Sequence, residues 1–213
     1  MSLNAPKTPS VTGVILAGGK SRRMGKNKAL LPLGRDSLIG HVIRRMRLVT
    51  DELLLITNSP AEYTHLDLPM YEDIVPNTGA LGGIYTGLTH AAHDPVLCVA
   101  CDSPFFVPKL LTYLVSVLAE YDAVMPYTTS RDKTHLTLQT LCAAYSKSCL
   151  SIIERMLQES ELRVHALEES AHIKRIPPEI WQRFDPNGMS FFNINTREDF
   201  DRANSYMRSQ TQQ

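Results

Sequence analysis

The 213 residues carry 22 basic and 22 acidic side chains and are 43% hydrophobic. That hydrophobic share suits a folded chain with a sizeable core, while a formal charge of zero argues against a general binder of nucleic acid or of a membrane surface. No apolar stretch nears the roughly 18–20 residues of a bilayer span, so neither nucleic acid nor membrane is expected as a partner.

The polar start, residues 1–10, has no apolar core of a signal peptide and reads as a flexible tail. VTGVILA (11–17) is the first apolar run with the character of a buried strand. A glycine-rich turn follows, with Lys20, Arg22, Arg23, Lys26 and Lys28 packed into nine positions. LIGHVIRRMRLV (38–49) has helical spacing, placing Leu38, Val42, Met46 and Val49 on one stripe. DELLLITN (51–58) is the second strand candidate, and Gly79, Gly82 and Gly83 precede a helical stretch expected to begin near Ile84. PVLCVAC (95–101) and DAVMPY (122–127) are further strands, separated by a helix over 108–121 that opens on Pro108. LTLQTLCAAYS (136–146) reads as one more strand leading into the helix SCLSIIERMLQES. The pattern weakens after residue 160 until FFNIN, expected as a short strand, meets a helix capped by Thr196 with Asp199 three residues later.

Strands alternating with helices indicate βαβ units: an α/β fold, Rossmann-like, a three-layer sandwich with a mostly parallel central sheet. No repeat or linker divides the chain, so 11–208 is expected as a single domain, with 209–213 as a second tail. Four cysteines without a dense pattern point to a reducing, cytoplasmic setting. Cys98 and Cys101 stand three apart in an extended run and so point to opposite faces, which favours packing over a shared metal. The seven histidines show no zinc spacing.

In such sheets ligands gather beyond the carboxyl ends of the strands, where the turn after VILA lies. Gly18 and Gly19, with no Cβ, let the backbone take unusual dihedrals and approach a ligand closely. Backbone N–H groups and clustered cations then suit a polyphosphate; a solvated basic turn is the plain alternative. The Walker spacing fails, because five residues separate Gly19 from Gly25 and Lys26 is followed by Asn27. Asp102 follows a buried-looking strand and should emerge at the same edge. Its hard oxygens suit magnesium, or it caps the next turn with Ser103. Asn193 and Asn195 could offer an amide oxygen to a metal or phosphate, or simply occupy a turn before a helix.

LAGGKSRRMGKNKALLPL (16–33) resembles the LAGGxSxRMGxDKALL signature of the molybdenum cofactor guanylyltransferases. The likeness continues, in the same order, through EDIVPNTGALGGIYTGL (72–88), CVACDSPF (98–105) and FFNINTREDF (191–200). Asn27 stands where that pattern carries an acidic residue, and Arg197 where it carries proline. The resemblance implies a nucleotide-diphospho-sugar transferase-like fold and transfer of GMP from GTP to the terminal phosphate of molybdopterin, with Mg2+. A cytidylyltransferase of the same superfamily, or a non-enzymic module presenting nucleotide or cofactor, are the alternatives. It further implies Lys28 and Asp102 as catalytic residues, Lys28 on phosphate and Asp102 on the metal. Leu16, Ala17, Gly18, Gly19, Lys28, Asn58, Asp73, Gly82, Asp102 and Asn195 would line the GTP site, with Asn58 and Asp73 towards the guanosine. GTP and molybdopterin would be the substrates, and other cofactor-biosynthesis proteins or acceptor molybdoenzymes the macromolecular partners. The pterin side is unpatterned: Arg131, Lys133, His135 or Arg163 could meet the anionic acceptor phosphate, or simply face solvent.

Overall fold

The computed structural model describes residues 9–18, 27–130 and 134–211. Its first elements are β1 (Thr12–Leu16), β2 (Pro32–Leu33), β3 (Asp36–Ser37), α1 (Leu38–Met46), β4 (Glu52–Ile56), β5 (Met70–Tyr71), α2 (Gly79–His90) and β6 (Val96–Ala100). They continue with α3 (Pro108–Val117), β7 (Ala123–Thr129), β8 (Leu136–Leu138), β9 (Cys142–Tyr145), α4 (Cys149–Gln158), β10 (Ile173–Ile176), α5 (Pro178–Trp181) and α6 (Arg197–Thr211).

The central sheet runs β10-β7-β9-β6-β1-β4-β5, with β8 paired to β7, and β2 and β3 form a separate hairpin. Every ladder of the central sheet is parallel except those of β8 and β9. A parallel strand covered on both faces is apolar throughout, and β1 and β6 are buried at every position. Their side chains divide by face. Ile15, Leu97 and Val99 join α1, α3 and Trp181 in one core, while Val14, Leu16, Cys98 and the buried faces of α2 and α4 form the other. Cys98 and Cys101 accordingly pack on opposite sides of the sheet. A third, smaller cluster of Leu33, Leu38, Phe105, Ile194 and Ala203 joins the β2 hairpin to α6. Leu38, Val42 and Met46 are fully buried and Val49 half-buried, as the predicted stripe requires.

Four expectations need correction. FFNIN is not a strand: Met189–Phe191 is a 3₁₀ turn, and the next residues run irregularly into α6. Its apolar side chains are covered without a ladder: Phe191 packs edge-on against Trp181 at 4.9 Å and Ile194 is 2% exposed in the third cluster. The 136–146 run is two strands: β8 and β9 both pair antiparallel with β7, and Gln139–Leu141 bulge between them. The bulge lies opposite Pro126, whose carbonyl accepts from Gln139 N–H at 2.8 Å; proline, lacking an N–H, is tolerated in a sheet at such places. Helix α2 begins at Gly79, not near Ile84. Helix α6 runs to Thr211, into the stretch expected as a tail. Among the described residues no helix is long and apolar enough to cross a membrane.

Candidate functional site

Parallel pairing sets Leu16 of β1 beside Ile56 of β4 and Ala100 of β6, so three strand ends share one edge. Backbone bonds carry the alignment past the strands: Ala17 N–H donates to Ile56 O at 2.9 Å and Cys101 N–H to Leu16 O at 3.1 Å. Gly18 is exposed, and a Cβ there would meet nothing within 4 Å. Its φ lies outside the left-handed region, and what the glycine offers is a bare backbone face. Gly19, Lys20, Arg22, Arg23 and Lys26 lie outside the described residues, as do Arg131 and Lys133.

Lys28 begins a 3₁₀ turn, Lys28–Leu30, whose cap is Asn27: Asn27 Oδ1 accepts from Ala29 N–H at 3.1 Å. The turn aims Lys28 at the strand edge. Its Nζ donates to Asp102 Oδ2 at 2.8 Å, to Ile194 O at 2.9 Å and to Asn195 Oδ1 at 2.8 Å. An ammonium has three protons, so all are engaged. The Lys28 and Asp102 side chains are 14% and 17% exposed, which leaves the pair largely shielded and open on one side.

The other two partners are fixed from below. Ile194 N–H donates to Asp102 O at 3.0 Å, and the Ile194 side chain anchors in the third cluster. Asn195 N–H donates to Asp199 Oδ2 at 3.1 Å, in the first turn of α6. Buried Ser103 donates through Oγ to Asn193 Oδ1 at 2.5 Å, tying the same segment to the end of β6. Ser103 was readable only as a helper of a strand cap; its partner is 90 positions away, a separation no local pattern reveals.

A second cluster sits beyond β4 and β5. Asn58 Nδ2 donates to Asp73 Oδ2 at 2.7 Å and Asp73 N–H donates to Asn58 Oδ1 at 2.9 Å, a reciprocal pair with Asn58 exposed. The first turns of α2 back it. A Cβ on Gly83 would stand 3.1 Å from Leu16 and 3.7 Å from Asp73 Oδ1. Gly79, at φ +62°, opens the helix with free space where a side chain would go. Gly82 is buried, and a Cβ there would lie 1.8 Å from Thr78 Oγ1. It therefore makes room for Thr78, whose hydroxyl donates to Val75 O at 2.6 Å. The structure thus gathers Lys28, Asp102 and Asn195 at one point, pairs Asn58 with Asp73 at another, and puts Leu16, Ala17 and Gly18 at the strand edge beside both. Beyond the first turn of α2, a cavity of about 460 Å³ is lined by Ala80, Leu136, Leu138, Leu162, His165 and Glu168, among others.

Among the described residues no group of three or more His, Cys, Asp or Glu could enclose a metal. The donors at the first point are nonetheless hard oxygens, one carboxylate and one amide, and they already converge on a cationic nitrogen. That set fits a divalent ion that takes its remaining ligands from water and phosphates. The thiol next to it is held protonated: burial pushes Cys101 up to about 12, with the Asp102 charge adding and Lys28 opposing.

Residues 13–173 match the family model of the MobA-like NTP transferase domain. A molybdenum cofactor guanylyltransferase of Desulfosudis oleivorans is 31% identical over 94% of this chain and 97% of its own. Among solved structures, molybdopterin-guanine dinucleotide biosynthesis protein A of Archaeoglobus fulgidus superposes with a TM-score of 0.78 over 93% of this chain and 99% of its own, at 24% identity. A 4-diphosphocytidyl-2C-methyl-D-erythritol synthase of Anaerococcus prevotii superposes at 0.71 over 94% and 97%, at 18% identity. At those identities the two structures speak to the fold alone, which is that of the nucleotide-diphospho-sugar transferases.

Proposed function

The chain belongs to the MobA-like NTP transferase family and, within it, to the molybdenum cofactor guanylyltransferases, and from that premise we propose that it transfers GMP from GTP to the terminal phosphate of molybdopterin. An acceptor phosphate oxygen forms the new bond at the α-phosphorus as the bond to the β-phosphate oxygen breaks and pyrophosphate leaves. Such an in-line displacement is served by positioning and charge neutralisation. The attacking oxygen is already anionic, so no protein nucleophile or base is needed.

One observation carries the reading: Asp102, Asn195 and Ile194 O converge on Lys28 Nζ beside the strand edge. Asp102 would hold Mg2+, with Asn195 Oδ1 as the second protein oxygen, and the ion would supply neutralisation of phosphate charge. Lys28, released from Asp102, turns its donors to the triphosphate. Leu16, Ala17 and Gly18 give the backbone edge along which the nucleotide lies. The Asn58–Asp73 pair faces the guanosine, whose N1–H and N2–H₂ suit a carboxylate; Gly83 keeps α2 close behind it, and Gly82 leaves room for the Thr78 hydroxyl at the start of that helix. The test is pyrophosphate release from GTP, CTP, ATP and UTP with molybdopterin and magnesium. GTP is expected to exceed the others in kcat/KM by at least about tenfold, or 1.4 kcal/mol. Equal or reversed values for CTP overturn the base assignment, and no release from any of the four overturns the enzyme reading.

A further inference from the structure

Asn27 departs from the acidic residue of the resembled signature, and the structure pairs the departure with a partner. Its side chain uses every polar hydrogen it has. Nδ2 donates to Glu62 Oε2 at 2.7 Å and to Tyr63 Oη at 2.8 Å, while Oδ1 accepts from Ala29 N–H. Glu62 ends the 3₁₀ turn Pro60–Glu62, four residues beyond Asn58, and Tyr63, 2% exposed, is built into the core. Only an amide can accept from a backbone N–H and donate twice. Serine, threonine or aspartate would serve the cap and lose the donations. Aspartate would also set a second carboxylate at hydrogen-bond distance from Glu62, where like charges repel.

From this we infer that Asn27 is a positioning residue: its amide, matched to Glu62, locks the turn carrying Lys28 to the segment carrying Asn58, and so registers the phosphate lysine against the nucleoside side of the site. The inference rests on the proposed role of Lys28, and its consequence is specific. This chain accepts an acidic residue at position 27 only if position 62 changes with it.

The experiment compares Asn27→Asp, Glu62→Gln and the double variant in the full chain, with two readouts. The first is acylation of Lys28 by an amine reagent, mapped by mass spectrometry, which needs no turnover. Wild-type Lys28, enclosed by three acceptors, should react slowly. Asn27→Asp should react at least about fivefold faster. The double variant should return to wild type, because the amide introduced at position 62 can donate to the carboxylate introduced at position 27. The second readout is kcat/KM for GTP. Asn27→Asp should lose about tenfold or more, carried by the KM for GTP with that for molybdopterin unchanged; Glu62→Gln alone should lose no more than about threefold, and the double variant should recover to that level. Should Asn27→Asp fail to fold, Asn27→Ser keeps a capping oxygen without the paired donations and must show the same faster Lys28 acylation. Unchanged acylation in Asn27→Asp, or a double variant as reactive as Asn27→Asp, overturns the positioning role. Acylation that moves as described while GTP kinetics stay level upholds it and removes the phosphate role from Lys28 instead.

Discussion

Lys28 has no proton left to give. With Asp102, Asn195 and Ile194 O all at 2.8–2.9 Å, a triphosphate gains its ammonium only by exchange. Asp102 meets Lys28 through Oδ2, and a carboxylate has a second oxygen to offer a metal. The two proposed roles thus share one carboxylate. Replacing Lys28 with alanine removes a charge-assisted contact and leaves Asp102 without its cation; kcat/KM for GTP should fall by about 10- to 150-fold, roughly 1.5–3 kcal/mol. Steady-state kinetics at saturating molybdopterin check this, and a variant within twofold of wild type would mean that Lys28 is only a structural clamp. Asp102→Asn differs: its carbonyl oxygen can still accept from Lys28, so the fold should melt near the wild-type temperature. Turnover should nonetheless drop by at least roughly a hundredfold, about 2.7 kcal/mol, with partial recovery at raised magnesium. Near-normal activity with an unchanged magnesium dependence would reduce Asp102 to a strand cap.

At the scale of elements, legibility followed burial. The cores of β1, β4, β6 and β7 were readable because a strand covered on both faces leaves a continuous apolar run. The β2, β3 and β5 strands span two residues each, too few for any period, and β10 lies at the sheet margin with exposed Lys174 and Arg175 at its centre. FFNIN deceived because a short apolar run records only that side chains are covered, and an irregular segment can cover Phe191 and bury Ile194 as well as a ladder can. At the site, residues next to strand ends, such as Asp102, were legible, whereas Ser103 and Glu62 act through partners distant in the chain. The α6 cap was legible and observed: Asp199 N–H donates to Thr196 Oγ1 at 3.1 Å, and Thr196 N–H returns to Asp199 Oδ2 at 3.0 Å. Thr196→Ala should cost about 1 kcal/mol, read as a lower urea midpoint at an unchanged slope. Burial would raise the Asp199 carboxyl, but the Asn195 and Thr196 N–H groups, the Thr196 hydroxyl and Arg202 together hold it below its ordinary value. A depressed carboxylate contributes stability that is present above the unfolded value of about 3.9 and is lost as pH falls through the folded one. Asp199→Asn should therefore lower stability at pH 7 and approach wild type at the acid end, whereas a constant gap across pH would assign the cap to shape alone.

For the molecule as a whole, the candidate site lies at the junction of distant segments. Lys28 meets Asp102 across 74 positions and Asn195 across 167, so substrate bound there would hold the β2 hairpin, the central sheet and α6 in one relation. Anything that binds only the native state stabilises it by RT ln(1 + [L]/Kd), about 2.7 kcal/mol at a hundredfold excess over Kd. The thiols report on this without turnover. Burial pushes Cys142 and Cys149 up to about 12 and also raises Cys98, so at pH 8 these groups are overwhelmingly protonated and react through opening of the fold. Alkylation of Cys98, Cys142 and Cys149 should proceed at one common rate if 11–208 unfolds as a single unit. GTP with magnesium at a hundredfold excess should slow all three by about a hundredfold, the same 2.7 kcal/mol read kinetically. The measurement is mass-resolved labelling with and without nucleotide. Protection confined to one cysteine would show that the nucleotide steadies a local segment and that the sheet can open without disturbing the site.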